Sequence, residues 1–166
     1  VYEEFARQLQ NGDTAIEIGV WLGRSIIYLA QELQRQGKTG VRLFALDNFQ
    51  GEMGQVDHLE TVAANNGNMR PAFEENLARC GVADMITIVD SDSAAAASQF
   101  SDGSMAMVFI DAAHEYEPVC RDLRAWLPKI KPGGIFAGHD HDHEPVARAV
   151  REIVGPVKTV GNVWLR

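Results

Sequence analysis

Five apolar runs in this chain each end in side chains able to do chemistry. The ends are Glu17-Ile18-Gly19, Asp47, Ser91-Asp92-Ser93, Asp111 with His114 three residues on, and His139-Asp140-His141. A lone acidic residue after a strand is more often a turn former or a helix cap. The run HDHDHE at 139–144, taken by itself, reads as a solvated turn and cap. Five such ends on one rim of a sheet are different, because open α/β sheets bind their ligands outside the carboxyl ends of the strands.

The first three ends suit a nucleoside. Asp47 can accept both ribose hydroxyl hydrogens, Asp92 can accept from an adenine amino group or cap a helix, and Gly19 allows close backbone approach. Gly23 and Ser25 fall where a helix begins, so N–H groups there can face a polar ligand. Trp21, Asn48, Ser93 and Asp111 complete the expected cofactor set. Glu17 would repel a pyrophosphate and attract a cationic amino group, and Trp21 fills space a second phosphate would need. The stretch therefore expects an amino-acid-bearing nucleoside rather than a dinucleotide.

The last two ends suit a hard cation. Asp111, Asp140 and His141 offer two carboxylates and an imidazole, which with water and substrate oxygens could complete an octahedral shell. Magnesium is the expected ion, and the imidazole keeps manganese and zinc open. His114 is placed to act as a general base near neutral pH, with a structural histidine as the plain alternative.

Those ends need a scaffold, and the rest of the sequence supplies its pattern. Strands are expected at 15–18, 41–46, 85–89, 105–110 and 135–138, with 157–160 and 163–165 closing as a hairpin around Gly161-Asn162. Helical spacing covers 1–11, 26–33, 71–78, 92–100, 118–130 and 145–154. Such alternation predicts a Rossmann-like doubly wound α/β sheet, mostly parallel, with seven strands and a C-terminal antiparallel hairpin. The weakly patterned stretch 48–70 is too long for an ordinary connection and is expected to be a lid or substrate loop, with Met53 and His58 touching the acceptor.

Bulk properties set the outer limits. A chain of 166 residues and 18.3 kDa predicts one domain spanning 1–166 with a sufficient core of its own. A formal net charge of -8 argues against a nucleic-acid partner and favours a small molecule. No apolar run reaches the roughly 20 residues of a membrane span, and no signal peptide is seen, so the cytoplasm is the expectation. Cys80 and Cys120 lack CxxC spacing and read as packed thiols. The short N-terminus leaves room for a second copy to finish the pocket, so a homo-oligomer is an open expectation.

Together these stretches resemble the class I S-adenosylmethionine-dependent methyltransferases, in particular small bacterial O-methyltransferases. EIGVWLGRS is similar to their glycine motif, ALDNFQG to their second-strand acidic motif, and FIDAAHEYEPVCRDLRAWLPKIKPGGIFAGHDH to their fourth and fifth strands. The resemblance covers 14 to about 154, and the long final motif is its most specific part. It implies that Glu17, Gly19, Asp47 and Asp92 hold S-adenosylmethionine. It also implies that Asp111, Asp140 and His141 take the metal positions of catechol-type and macrolide-sugar enzymes, with His114 where catechol-type enzymes carry a lysine base. Two positions depart from the family pattern: Trp21 replaces a glycine, and His141 replaces an asparagine. The expected activity is methyl transfer to a hydroxyl of a small molecule. The alternatives are an NAD-dependent oxidoreductase, a metal-dependent hydrolase using 139–144, and a binding domain without catalysis.

Overall fold

A computed structural model describes residues 1–51 and 56–166, with side chains left out at 56–58. Seven strands form one sheet: β1 (Thr14–Ile18), β2 (Arg42–Asp47), β3 (Ile86–Asp90), β4 (Met105–Ile110), β5 (Ile130–Gly138), β6 (Lys158–Val160) and β7 (Val163–Leu165). Their order is β3-β2-β1-β4-β5-β7-β6, parallel from β3 to β5 and antiparallel in the β6–β7 hairpin. The chain reverses direction across the sheet between β1 and β4, which is where a doubly wound fold opens its ligand crevice.

The period-2 alternation of strands sorts the core into two layers. Ala15, Leu43, Ala45, Met107 and Phe109 face one side, under α1 (Tyr2–Gln8), α2 (Arg24–Arg35) and α4 (Arg70–Arg79). Ile16, Ile18, Leu46, Val108 and Ile110 face the other. They lie under α5 (Ser93–Ala96), α6 (Tyr116–Trp126) and α7 (Glu144–Ile153). Burying both faces is why β4 reads MAMVFI, apolar throughout. Each fully buried Leu or Phe contributes about 1.5–3 kcal/mol. Glu17 shares its face with Ala15, so its side chain points beneath α2.

The strand ends are levelled by a backbone ladder that continues past the strands themselves. Ser91 N–H donates to Asp47 O at 3.2 Å, Gly19 N–H to Leu46 O at 2.8 Å, Asp111 N–H to Ile18 O at 2.8 Å, and His139 N–H to Ile110 O at 3.0 Å. The four bonds bring the ends of β3, β2, β1, β4 and β5 to one height. At the centre, a Cβ on Gly19 would stand 2.1 Å from the Asp111 carbonyl oxygen and 2.6 Å from the Ala112 Cα. Only glycine fits there, on contact as well as on its φ of +81°.

The stretch 48–70 departs from its expectation as an irregular loop. It contains α3 (Val56–Ala64), and its ends are tied down where Met69 N–H donates to Phe49 O at 2.9 Å and the Phe49 ring packs on Phe73. One turn of apolar spacing stopped by Asn65-Asn66-Gly67 was too little pattern to mark a helix. Met53 lies outside the described residues, and of His58 only the backbone is described. Gly23 caps α2, and a Cβ there would strike the Phe73 ring at 2.7 Å, so this glycine serves helix packing. No helix among the described residues is long and apolar enough to cross a membrane.

Gly19→Ala should lower unfolding free energy by more than about 3 kcal/mol, since overpacking against backbone adds to the left-handed strain. Gly12→Ala, with φ +93° but open space around it, should cost about 1 kcal/mol. Urea denaturation of the two variants measures the difference.

Candidate functional site

Above the levelled ends lies a cavity of about 480 Å³, lined from β1 by Gly19 and Trp21, from β2 by Asp47 and Asn48, from β3 by Ser91, Asp92 and Ser93, and from β4 by Asp111. That volume suits a ligand of cofactor size. α6 closes the far wall with Pro118, Arg121 and Asp122. Among the expected cofactor residues, Glu17, Gly23 and Ser25 are not in this lining.

Asp47 is held still before any ligand arrives. Its Oδ2 accepts from Trp21 N–H at 2.9 Å and its Oδ1 from Phe49 N–H at 2.8 Å. Each oxygen keeps a lone pair for a ribose hydroxyl. The first bond requires Trp21 to take φ +48°, a conformation of about 1–2 kcal/mol strain for a bulky residue and of a kind that clusters at functional sites.

Glu17 is 1% exposed. Burial, with help from the Asp111 charge, pushes its carboxyl up to about 8 against the pull of the Ser25 hydroxyl. Oε1 accepts from that hydroxyl, while Oε2 is buried without any partner. Ser25 also hydrogen-bonds to Tyr2, whose phenol is raised far above its ordinary range by burial and then by Glu17. Tyr2 was invisible to sequence reasoning, because only the tertiary fold lays α1 beside the glycine loop. The orphaned oxygen is chemically matched to an ammonium donor, directly or through one water.

Asp92 does both things open to it in sequence. Its Oδ1 caps α5 by accepting from Ala95 N–H at 3.0 Å, and its Oδ2 pairs with Arg121 at 2.9 Å at the cavity wall. Ser93 accepts from the Trp126 indole N–H at 3.1 Å and bonds to the Asp122 carboxyl.

At the β4–β5 end Asp111 and Asp140 bring carboxyl oxygens within 4.8 Å of one another. Burial pushes the Asp111 carboxyl up to about 6, with His139 and His114 pulling down and Asp140 pushing up. His139 Nδ1 lies 3.0 Å from Asp140 and 3.7 Å from Asp111, and His114 Nε2 lies 2.8 Å from Asp140. Among the described residues two sets of donor groups lie close enough to share one ion, Asp111, His139 and Asp140, and the more exposed Asp140, Asp142 and His143. His139, the residue directly after β5, stands with the carboxylates. His141 is in neither set, and its backbone N–H donates to Asn162 O at 2.9 Å. The signal separating the two is the φ of +57° at Asp140, which turns the chain and is not written in residue types. Two neighbouring carboxylates, once deprotonated, would offer a cation the charge and oxygen donors it needs.

Comparison with known proteins agrees with this layout. Residues 16–141 match a family model described as a methyltransferase domain. Among solved structures the chain is similar to the O-methyltransferase NovP, with TM-score 0.72 and 16% identity over 99% of this chain and 76% of that one. CalS11, described as a TDP-rhamnose 3'-O-methyltransferase, gives 0.62 and 17% over 99% and 75%. A protein from Clostridium thermocellum described as a putative rRNA methylase gives 0.67 and 13% over 99% and 89%. No curated protein matches the sequence.

The Glu17 carboxyl, near 8 when folded and 4.5 as its ordinary value, keeps its proton in the native state through that window. The native state then binds more protons than the unfolded one, so stability falls as pH rises between the two values. Glu17→Gln removes the loss. Its melting temperature should exceed that of wild type by several degrees at about pH 8.5, and the gap should close near about pH 5. Its affinity for S-adenosylhomocysteine should drop on the order of tenfold. Thermal melts at the two pH values check the first, calorimetry the second.

Proposed function

The chain belongs to the methyltransferase-domain family of class I S-adenosylmethionine-dependent enzymes, and from that premise we propose that it moves the methyl group to a hydroxyl of a small molecule with help from a divalent cation. The observation that carries this reading is the Asp111–Asp140 carboxyl pair, with His114 against it, on the same rim as the nucleoside residues. NovP and CalS11, both described as O-methyltransferases, support the acceptor atom, and the net charge of -8 supports a small acceptor over a nucleic acid.

When bound, S-adenosylmethionine supplies a methyl carbon made electrophilic by its sulfonium, and a divalent cation lowers the pKa of a coordinated hydroxyl. The protein's share is alignment and proton handling. Asp47 fixes the ribose and Glu17 draws the ammonium. Gly19 lets the loop lie against Asp111, so donor and acceptor sites share a wall. Asp111, Asp140 and His139 would hold the cation. His114, its Nε2 2.8 Å from Asp140, stands beside the carboxyl pair as the general base for the hydroxyl proton.

Asp111→Ala should cut label transfer from methyl-labelled S-adenosylmethionine to hydroxyl probes, catechol and a nucleoside-diphosphate sugar, by on the order of a hundredfold or more. Its affinity for S-adenosylhomocysteine should stay close to wild type. Magnesium or manganese should raise the melting temperature of wild type but not of Asp140→Asn. Wild-type turnover in Asp111→Ala contradicts the assignment.

A further inference from the structure

Asp122 is the second buried group with an orphaned oxygen among the described residues. It stands on α6, is 2% exposed, lines the cavity, and its Oδ1 has no hydrogen-bond partner. Burial pushes its carboxyl up to about 6, opposed by the Ser93 hydroxyl and by the more distant charge of Arg121. A buried acceptor left bare costs free energy, and native structures seldom keep one without a ligand, water or strain to account for it.

The cavity indicates what would meet it. Asp47 would place a ribose at the end of β2, and the lining towards β3 and α6 includes the apolar Leu46, Ala112 and Pro118. Those apolar walls suit a flat purine ring. At its edge stand two carboxylates. Asp92, the sequence candidate, already spends one oxygen on the α5 cap and the other on Arg121. Asp122 keeps its Oδ1 without a hydrogen-bond partner, with Ser93, which accepts from Trp126, as its nearest polar influence and Arg121 and Asp92 acting on it by charge.

Resting on the S-adenosylmethionine reading above, we propose that Asp122, not Asp92, is the residue that selects the purine, its unpartnered Oδ1 accepting from the exocyclic amino group of adenine. Asp92 is a positioning residue that ties Arg121 to the rim. A site built on a buried acceptor rejects an analogue lacking the matching donor far more strongly than an apolar pocket rejects a change of size.

The test is calorimetric binding of S-adenosylhomocysteine and of S-inosylhomocysteine, in which an oxo group replaces the amino group, to wild type, Asp122→Asn and Asp92→Asn. Wild type should prefer the adenine compound by on the order of tenfold to a hundredfold. Asp122→Asn, whose amide can donate to the oxo group, should lose most of that preference, and Asp92→Asn should keep it. In wild type, carbon-13 NMR should show the Asp122 carboxyl titrating near about 6 in the free protein and held ionised through that range with S-adenosylhomocysteine bound. This measurement stands even if Asp122→Asn does not fold. A wild-type preference near one, or one that survives in Asp122→Asn, overturns the assignment while leaving the cofactor reading intact. Failure of wild type to bind S-adenosylhomocysteine at all overturns both.

Discussion

The contact on which this site depends is backbone against backbone, where Gly19 lies on the Asp111 carbonyl with no room for a side chain. Strands β1 and β4 are neighbours, and the ladder that runs past their ends from Ser91 to His139 keeps five loops at one height. A ligand cradle on β1–β3 and a carboxyl pair on β4–β5 thus become two halves of one surface without any side chain bridging them. The arrangement is rigid because hydrogen bonds and sterics at the sheet fix it, while the loops above carry the chemistry. Trp21 and Asp140, both with positive φ, are the positions where the loops leave the sheet under strain.

Electrostatics completes what geometry begins. Asp47, Asp92, Asp111 and Asp122 line the cavity, with Glu17 buried outside its lining and Asp140 beside Asp111, and the fold disposes of their charge in different ways. Asp47 and Asp92 are satisfied by N–H donors and a guanidinium. Glu17, Asp111 and Asp122 are pushed up by burial. On the proposed reading an ammonium, a cation and an amino group would take the place of their protons, and relieving buried acceptors would contribute to affinity.

Much of the scaffold was legible beforehand for a physical reason. The strands of a sheet covered on both faces are short apolar runs, and each end carries a polar residue where the chain meets solvent. Hence β1, β4 and the 158–165 hairpin were readable, as was the set of strand-end residues. What escaped was whatever depends on distant neighbours or on a turn of the backbone. Tyr2 reaches Ser25 only because α1 packs beside α2. Asp122 lay unnoticed within the amphipathic pattern of α6, where a single acidic residue looks like a surface position. His139 and His141 are alike in type, and a left-handed residue between them decides which one faces the carboxylates. Ser25 and Gly23 were expected to face a ligand through a helix start, whereas one bonds Glu17 and the other makes room for Phe73.

The central claim, that this rim binds an amino-acid-bearing nucleoside and not a dinucleotide, is tested most directly by titrating wild-type protein with S-adenosylhomocysteine and with NAD in parallel calorimetric runs. The account predicts one S-adenosylhomocysteine per chain with proton release, as Glu17 ionises against the ammonium, and no saturable heat from NAD. Saturable binding of NAD in the absence of binding by S-adenosylhomocysteine would contradict it.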